Sequence, residues 1–306
     1  MTDFGADVAF AQVMDKLVEH YGIILAESTI RRVTEAHAQK IYETKAVDEA
    51  WPSDVGCETV VVEMDGGMVP IVETDGTRQD RRRGKKLQWK EAKLCLAHKA
   101  GSKTPSYGGT LRGDVAEAGK QLFGCAKQAG FGKETRVHAV GDGADWIALQ
   151  VEERFGGNGS YLVDFYHVCD YLSAAATAIH ADAETAKAWL NQQKECLRAG
   201  NYAATIESLE AHLEPDNVAD SEAAVRSCHR YLSRRKDQLD YPSALANNLP
   251  IGSGEIESAH RYIVQKRLKL PGSWWCAANA DHMLALRLNR ANKQWGNYWN
   301  QDRMAA

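Results

Sequence analysis

Near residue 59 the hydrophobic period of this chain changes from helical to alternating, and that switch decides its fold class. Upstream, Val8, Val13, Leu17 and Val18 recur at helical spacing over residues 8–19, until His20-Tyr21-Gly22 stops the pattern. A second helix is expected from Ser28-Thr29, carrying Ile30, Val33, Ala36 and Ile41. With Arg31-Arg32 near its start, the pair resembles half of a helix-turn-helix, a form that many unrelated helical hairpins share. Downstream, Thr59-Val60-Val61-Val62-Glu63-Met64 is a β-branched run closed by Asp65-Gly66-Gly67 and followed by Met68 to Val72. That pattern predicts two strands joined by a glycine turn, the second with an exposed or irregular side at Pro70, which has no N–H to donate. Further strands are predicted at Trp89–Ala97, Thr135–Val140 and Tyr161–Asp164, and helices at Arg112–Ala129, Asp145–Phe155 and Tyr166–Ile179.

From Asp182 to Leu239 the chain is rich in Ala, Glu and Lys at helical spacing, with no strand signal and one break at Pro215-Asp216. Two last helices, Glu255–Lys269 and Ala277–Lys293, follow the turn-rich stretch Pro242–Gly254. The expected fold is α/β, a mixed sheet flanked by helices with an all-helical insertion before the final helices. The divisions are a helical segment at 1–50, a first part of the core at 51–180, the insertion at 181–245, and completing helices at 246–306.

Composition narrows the class. At 44% hydrophobic and 25% charged, the 306 residues suit a soluble globular protein. No run of eighteen apolar residues is present, and MTDFGADVAF lacks the basic-then-apolar form of a secretory signal. Seven dispersed cysteines without a Cys-x-x-Cys pair argue for reduced thiols in a cytoplasm, against a disulfide framework or structural zinc. The net charge of −4 hides an uneven distribution: nine basic residues stand against two acidic ones between Arg78 and Lys99. Arg81, Arg82, Arg83, Lys85, Lys86 and Lys90 form the centre of this strip, which suits a phosphate backbone or simply a solvated loop.

Three acidic segments stand out. Asp65 ends the β-branched run, Asp142 lies between two glycines after the strand ending at Val140, and Glu255 and Glu257 open a helix behind Ile251-Gly252-Ser253-Gly254. Carboxylates at strand ends converge in the crevice beyond a sheet, and like charges gathered there call for hard divalent cations such as Mg2+. Each has an ordinary explanation taken alone: Asp-Gly and Gly-Asp-Gly are turn sequences, and acids in a first helical turn complement the helix dipole. Asp164 and His167 of Asp-Phe-Tyr-His read as a helix N-cap and a packed histidine, or as supports of the same site.

Together and in order these segments resemble the DDE transposases of bacterial insertion sequences, in particular the ISKra type. The resemblance rests on Met64-Asp65-Gly66-Gly67-Met68-Val69-Pro70, Trp89-Lys90-Glu91-Ala92 and Val140-Gly141-Asp142-Gly143-Ala144-Asp145-Trp146-Ile147. It continues through Asp164-Phe165-Tyr166-His167-Val168, Pro250-Ile251-Gly252-Ser253-Gly254 with Glu257-Ser258, and Tyr262 to Lys269. It implies an RNase H-like core in which Asp65, Asp142 and Glu257 hold two Mg2+ ions, with Mn2+ as a substitute. The implied reaction is in-line attack on a phosphodiester by water or a DNA 3′-hydroxyl, giving cleavage and strand transfer of an insertion sequence. Glu257 rather than Glu255 occupies the position before the serine of the family's Gly-Ser-Gly-x-x-Glu-Ser pattern.

The resemblance also implies DNA as partner, gripped by the basic strip and by Arg261, Lys266, Arg267 and Lys269, with Trp274 and Trp275 stacking on a base or packing in the core. A homodimer or higher oligomer is expected because two element ends must be brought together. Members of that family usually carry a further DNA-recognition segment before the first helices. The chain starts close to the region preceding the core, as a truncated copy or the product of an internal start would. Two other functions fit the same residues: an idle DNA-binding remnant that represses transposition, and a stand-alone metal-dependent nuclease.

Overall fold

The computed structural model describes residues 1–74 and 84–305, with side chains through 302. Two compact units divide the chain, one of residues 1–135 with 254–306 and the other of residues 136–253. The protein is α/β, and its strands run in both senses.

The first unit opens with helices α1 (Thr2–Asp7), α2 (Phe10–Tyr21) and α3 (Glu27–Glu43). Gly22 ends α2 in the left-handed conformation (φ 64°), which a glycine adopts without a Cβ penalty. Ala26, not Ser28, is the N-cap of α3, and no side chain caps it. Val13, Leu17 and Ile30 form a small apolar cluster between these helices. Strands β1 (Thr59–Thr74), β2 (Lys85–Lys99) and β3 (Ser106–Thr110) follow, all antiparallel, with β2 between the other two.

The glycine turn expected at Asp65-Gly66-Gly67 does not exist. β1 runs straight through it, in unbroken register with β2 from Val60↔Lys99 to Thr74↔Lys85. The two glycines serve close approach instead: a Cβ on Gly66 would lie 2.2 Å from Glu91 Oε1, and one on Gly67 2.7 Å from His260 Nδ1. Pro70 is tolerated because Val72 N, two residues on, donates to Trp275 O (2.7 Å), so the missing N–H at Pro70 falls on that side of β1, away from the β2 ladder.

Helix α4 (Val115–Gln128) starts at Asp114, whose side chain accepts from Glu117 N (2.9 Å). In the second unit β4 (Arg136–Gly141) and β5 (Gly159–Val163) pair in parallel, linked by α5 (Asp145–Phe155). Then come α6 (Phe165–Ile179), α7 (Ala183–Arg198), α8 (Tyr202–Glu210), α9 (Ala224–Ser233) and α10 (Tyr241–Ala246). The helices expected over 181–245 therefore belong to the same unit as β4 and β5. They share a core of Val168, Leu172, Leu197, Leu209, Cys228 and Leu232.

The first unit is completed by α11 (Gly254–Ala259), a π-helical turn His260–Gln265, α12 (Lys266–Leu268), α13 (Ala277–Ala291) and α14 (Trp295–Ala305). Ile256, Ala259, Ile263, Val264 and Leu268 pack with Leu94, Leu96, Met283 and Leu284 in its core. All seven cysteines are free thiols. Among the described residues no helix is long and apolar enough to cross a membrane.

Candidate functional site

Alternation along β1 puts Glu63, Asp65 and Gly67 on one face of the strand. All three meet the segment Gly254–Gln265. Glu63 is 2% exposed, and its Oε2 accepts from Ile256 N at 2.7 Å. That amide lies in the first turn of α11, where no intrahelical acceptor exists, so a carboxylate there satisfies an orphan donor and favours the helix dipole. One turn further, His260 Nε2 lies 3.2 Å from Asp65 O and 3.5 Å from Asp65 Oδ2. The His260 side chain is buried, while that of Asp65 is one-third exposed and takes Gly66 N on Oδ1 (2.7 Å). Two contacts thus tie the strand carrying Asp65 to the helix carrying Glu257.

The two helix glutamates differ in surroundings. Glu255 Oε2 lies 3.4 Å from Nε2 of buried His98 on β2, within ion-pair range though not aligned as a hydrogen bond. Glu257 is exposed and makes no side-chain hydrogen bond or ion pair among the described residues.

In the second unit the loop Gly141-Asp142-Gly143 is clamped from several sides. Asp142 Oδ1 accepts from Ala144 N (2.9 Å), and Tyr161 Oη accepts from Gly143 N (3.0 Å). Helix α9 supplies Tyr231, whose hydroxyl donates to Asp142 O (2.6 Å), and Arg235 just beyond it donates to Gly143 O (2.8 Å from Nε). Tyr231 is stacked on Tyr171 with centroids 4.2 Å apart, and the Arg235 guanidinium lies 4.2 Å from its ring. Burial pushes the Tyr161 and Tyr231 phenols up, so both stay neutral hydrogen-bonding groups. Gly143 has φ 87°, and a Cβ there would lie 2.4 Å from Tyr231 Oη, so only glycine fits.

Asp164 is a structural hub. It is 3% exposed; Oδ1 accepts from Tyr166 N (2.6 Å) and His167 N (3.2 Å), and Oδ2 from Ser253 N (2.7 Å) and Ser253 Oγ (2.6 Å). Ile251 O accepts from Phe165 N (2.8 Å) and Pro250 O contacts His138 Nε2 (2.8 Å), so the Pro250–Ser253 segment is pinned at Pro250, Ile251 and Ser253. His167 lies beside the stacked rings of Tyr171 and Tyr231, at 5.6 and 6.0 Å.

Asp65 and Glu257 therefore fall in the first unit, and Asp142, Asp164 and His167 in the second. Among the described residues, no group of three or more His, Cys, Asp or Glu side chains is placed to hold a metal ion. Of the basic strip, Arg78, Arg81, Arg82 and Arg83 lie outside the described residues. Lys85 and Lys86 are exposed on β2, not in a loop, and Lys90 pairs with Glu73 at 3.5 Å. Arg261, Lys266 and Lys269 are exposed.

Arg267 differs from the phosphate contact expected of it. It is 1% exposed, donates from Nε to Gly5 O (2.9 Å), and lies over Phe10 and Trp275 at 4.7 and 4.8 Å. Helical phase explains this: Arg267 continues the apolar row of Ile256, Ala259 and Ile263, so it enters the core with them. Burial, with Arg287 nearby, holds it at about 10, below the ordinary arginine value. Because the folded value is the lower one, the cost of keeping Arg267 charged is present below pH 10 and fades as pH rises beyond it. Arg267→Met is accordingly expected to leave the melting temperature unchanged or raised, since an apolar side chain of similar volume removes a buried cation.

Glu63, His260, Tyr161, Tyr231 and Arg235 were not foreseen. Glu63 had a signal, an acid two residues before Asp65 inside a β-branched run, and His260 lies three residues after Glu257 on the same helix. Tyr231 and Arg235 act on a loop about ninety residues away and carry no local signal. In comparison with known families and curated proteins, the chain matches no family model and no curated protein significantly.

Proposed function

We propose that this chain is the catalytic part of an RNase H-like DDE transposase, performing metal-dependent DNA cleavage and strand transfer with Asp65, Asp142 and Glu257. The observation that carries the reading is the double tie of β1 to the helix after Gly254, Glu63 to Ile256 N and His260 to Asp65, which joins the strand that carries Asp65 to the helix that carries Glu257. Tight clamping of the Asp142 loop by Tyr161, Tyr231 and Arg235 supports it, since a catalytic carboxylate needs a fixed backbone more than a mobile turn.

The donor set suits Mg2+ or Mn2+: carboxylate oxygens, with Asp65 partly exposed and Glu257 uncommitted. Two such ions, when bound, supply charge neutralisation and stabilise the attacking and leaving oxygens of an in-line displacement. Asp65, Asp142 and Glu257 would be the carboxylates that hold them. His260 would hold the Asp65 backbone and Glu63 the first turn of α11, so neither needs to exchange a proton. DNA would be held by Lys85, Lys86, Lys90, Arg261, Lys266 and Lys269, and a dimer would pair two ends.

The test is strand joining of element-end DNA in the presence of magnesium or manganese. Joining is expected with either ion, to disappear on chelation, and to be lost in Asp65→Asn and in Asp142→Asn with the fold intact by circular dichroism. Full activity in Asp142→Asn would sink the reading. Cutting without joining would favour a nuclease, and binding without either a repressor.

A further inference from the structure

Trp89 and Trp274 are 54% and 58% exposed, unusual for the largest apolar side chain, and strand register places them beside each other. Trp89 is opposite Pro70 in the β1–β2 ladder. On the other side of β1, Trp275 forms a parallel bridge with Ile71, which puts Trp274, one residue earlier, beside Pro70. Trp275 and Ile71 are buried, so alternation turns Trp274, Pro70 and Trp89 to the opposite face. Two inter-strand spacings put the two tryptophan backbones roughly 10 Å apart across Pro70. Leu87 and Met68, 54% and 45% exposed, lie in register with Val72 and Glu91 and continue the surface.

Each indole has a lysine beside it. Lys85 Nζ lies 5.4 Å from the Trp274 ring, and Lys269 Nζ 6.0 Å from that of Trp89. Glu91, in the same alternation phase of β2 as Trp89, is paired with Lys93 at 3.1 Å, so its charge is locally compensated. Exposed aromatic faces flanked by ammonium groups match a chain of flat rings joined by phosphates, because bases stack on indoles while lysines meet the backbone. A purely apolar partner would leave both lysines desolvated and unpaired.

We infer that Trp89 and Trp274 form a stacking platform for single-stranded DNA, with Lys85 and Lys269 on its phosphates. This rests on the DNA-handling function above but needs neither the carboxylates nor a metal ion. Unpaired bases are the fitting substrate because a duplex keeps its base faces stacked on each other.

The test measures quenching of tryptophan fluorescence and anisotropy of a labelled oligothymidylate in EDTA, with a duplex of equal length as control. Trp89→Ala and Trp274→Ala are each expected to weaken single-strand binding roughly 5- to 100-fold and to change duplex binding little. Trp89→Phe should retain most of the affinity, which separates stacking from misfolding. Lys269→Gln should flatten the log–log salt slope by about 0.7. Equal affinity of both alanine variants and the parent would overturn the inference. So would an unchanged DNA affinity with a shift in oligomeric state, which would assign the surface to contact between copies of this chain. Loss of single-strand binding in the variants, alongside a parent that joins no ends, would uphold the platform and count only against the transposase reading.

Discussion

Asp164→Ala is expected to destabilise the second unit by about 3–5 kcal/mol. Its side chain accepts four hydrogen bonds at 3% exposure, two from the first turn of α6 and two from Ser253. Loss of the cap costs about 1 kcal/mol, and each donor left buried without an acceptor adds about 1–3 kcal/mol. Against a typical total of about 5–15 kcal/mol this is a large fraction. The melting temperature should fall by roughly 6–20 °C. Asp164→Asn should fall between: its one carbonyl oxygen can serve the cap or Ser253, while its amide turns N–H groups toward other donors. Asp182, which caps α7 at Thr185 N (2.8 Å) from the surface, provides the contrast. Asp182→Ala should cost much less, because water can replace the exposed carboxylate at Thr185 N. Equal losses in thermal unfolding of Asp164→Ala and Asp182→Ala would show that burial of the Asp164 network counts for nothing.

The difference between those two aspartates marks how far sequence could reach. The N-cap at Asp164 was legible, since Asp before an apolar run at helical spacing has one ordinary meaning. The second half of its role was not, because Ser253 lies 89 residues further on. Helices α5, α6 and α13 were readable from periodicity, as local spacing decides which face is buried. The error at Asp65-Gly66-Gly67 has the opposite origin. Locally the three residues favour a turn, but fifteen consecutive register pairs with β2 outweigh that preference. Glycine marked the close approach of Glu91 and His260, not a change of direction. β3, Ser-Tyr-Gly-Gly-Thr, was missed because it has almost no apolar alternation and earns strand form only from its place beside β2. Arg267 shows the same limit at a single residue: charge type suggested a surface role, whereas helical phase carried it into the core.

Under the proposed transposase reading, Glu257→Gln is expected to lower metal-dependent strand joining by about 10^3 or more, while Glu255→Gln stays within about threefold of the parent. Loss of one metal-holding carboxylate removes several kcal/mol of transition-state stabilisation, and each 1.36 kcal/mol is tenfold in rate. The two glutamates share a helical turn but point about 200° apart, so one metal site cannot use both. Glu255 is directed to His98 at 3.4 Å, while Glu257 has no partner among the described residues that would compete with a cation. Both are exposed, so neither amide substitution should move stability by more than about 0.5 kcal/mol, and unfolding curves can exclude a folding artefact. The isosteric change keeps shape and hydrogen bonding and removes only the charge, which makes metal affinity the quantity under test. Titration with Mn2+ should accordingly show weaker binding in Glu257→Gln and unaltered binding in Glu255→Gln. The reverse pattern would mean that the helix presents its first glutamate to the metal, and that the His98 contact is released when DNA and ions arrive.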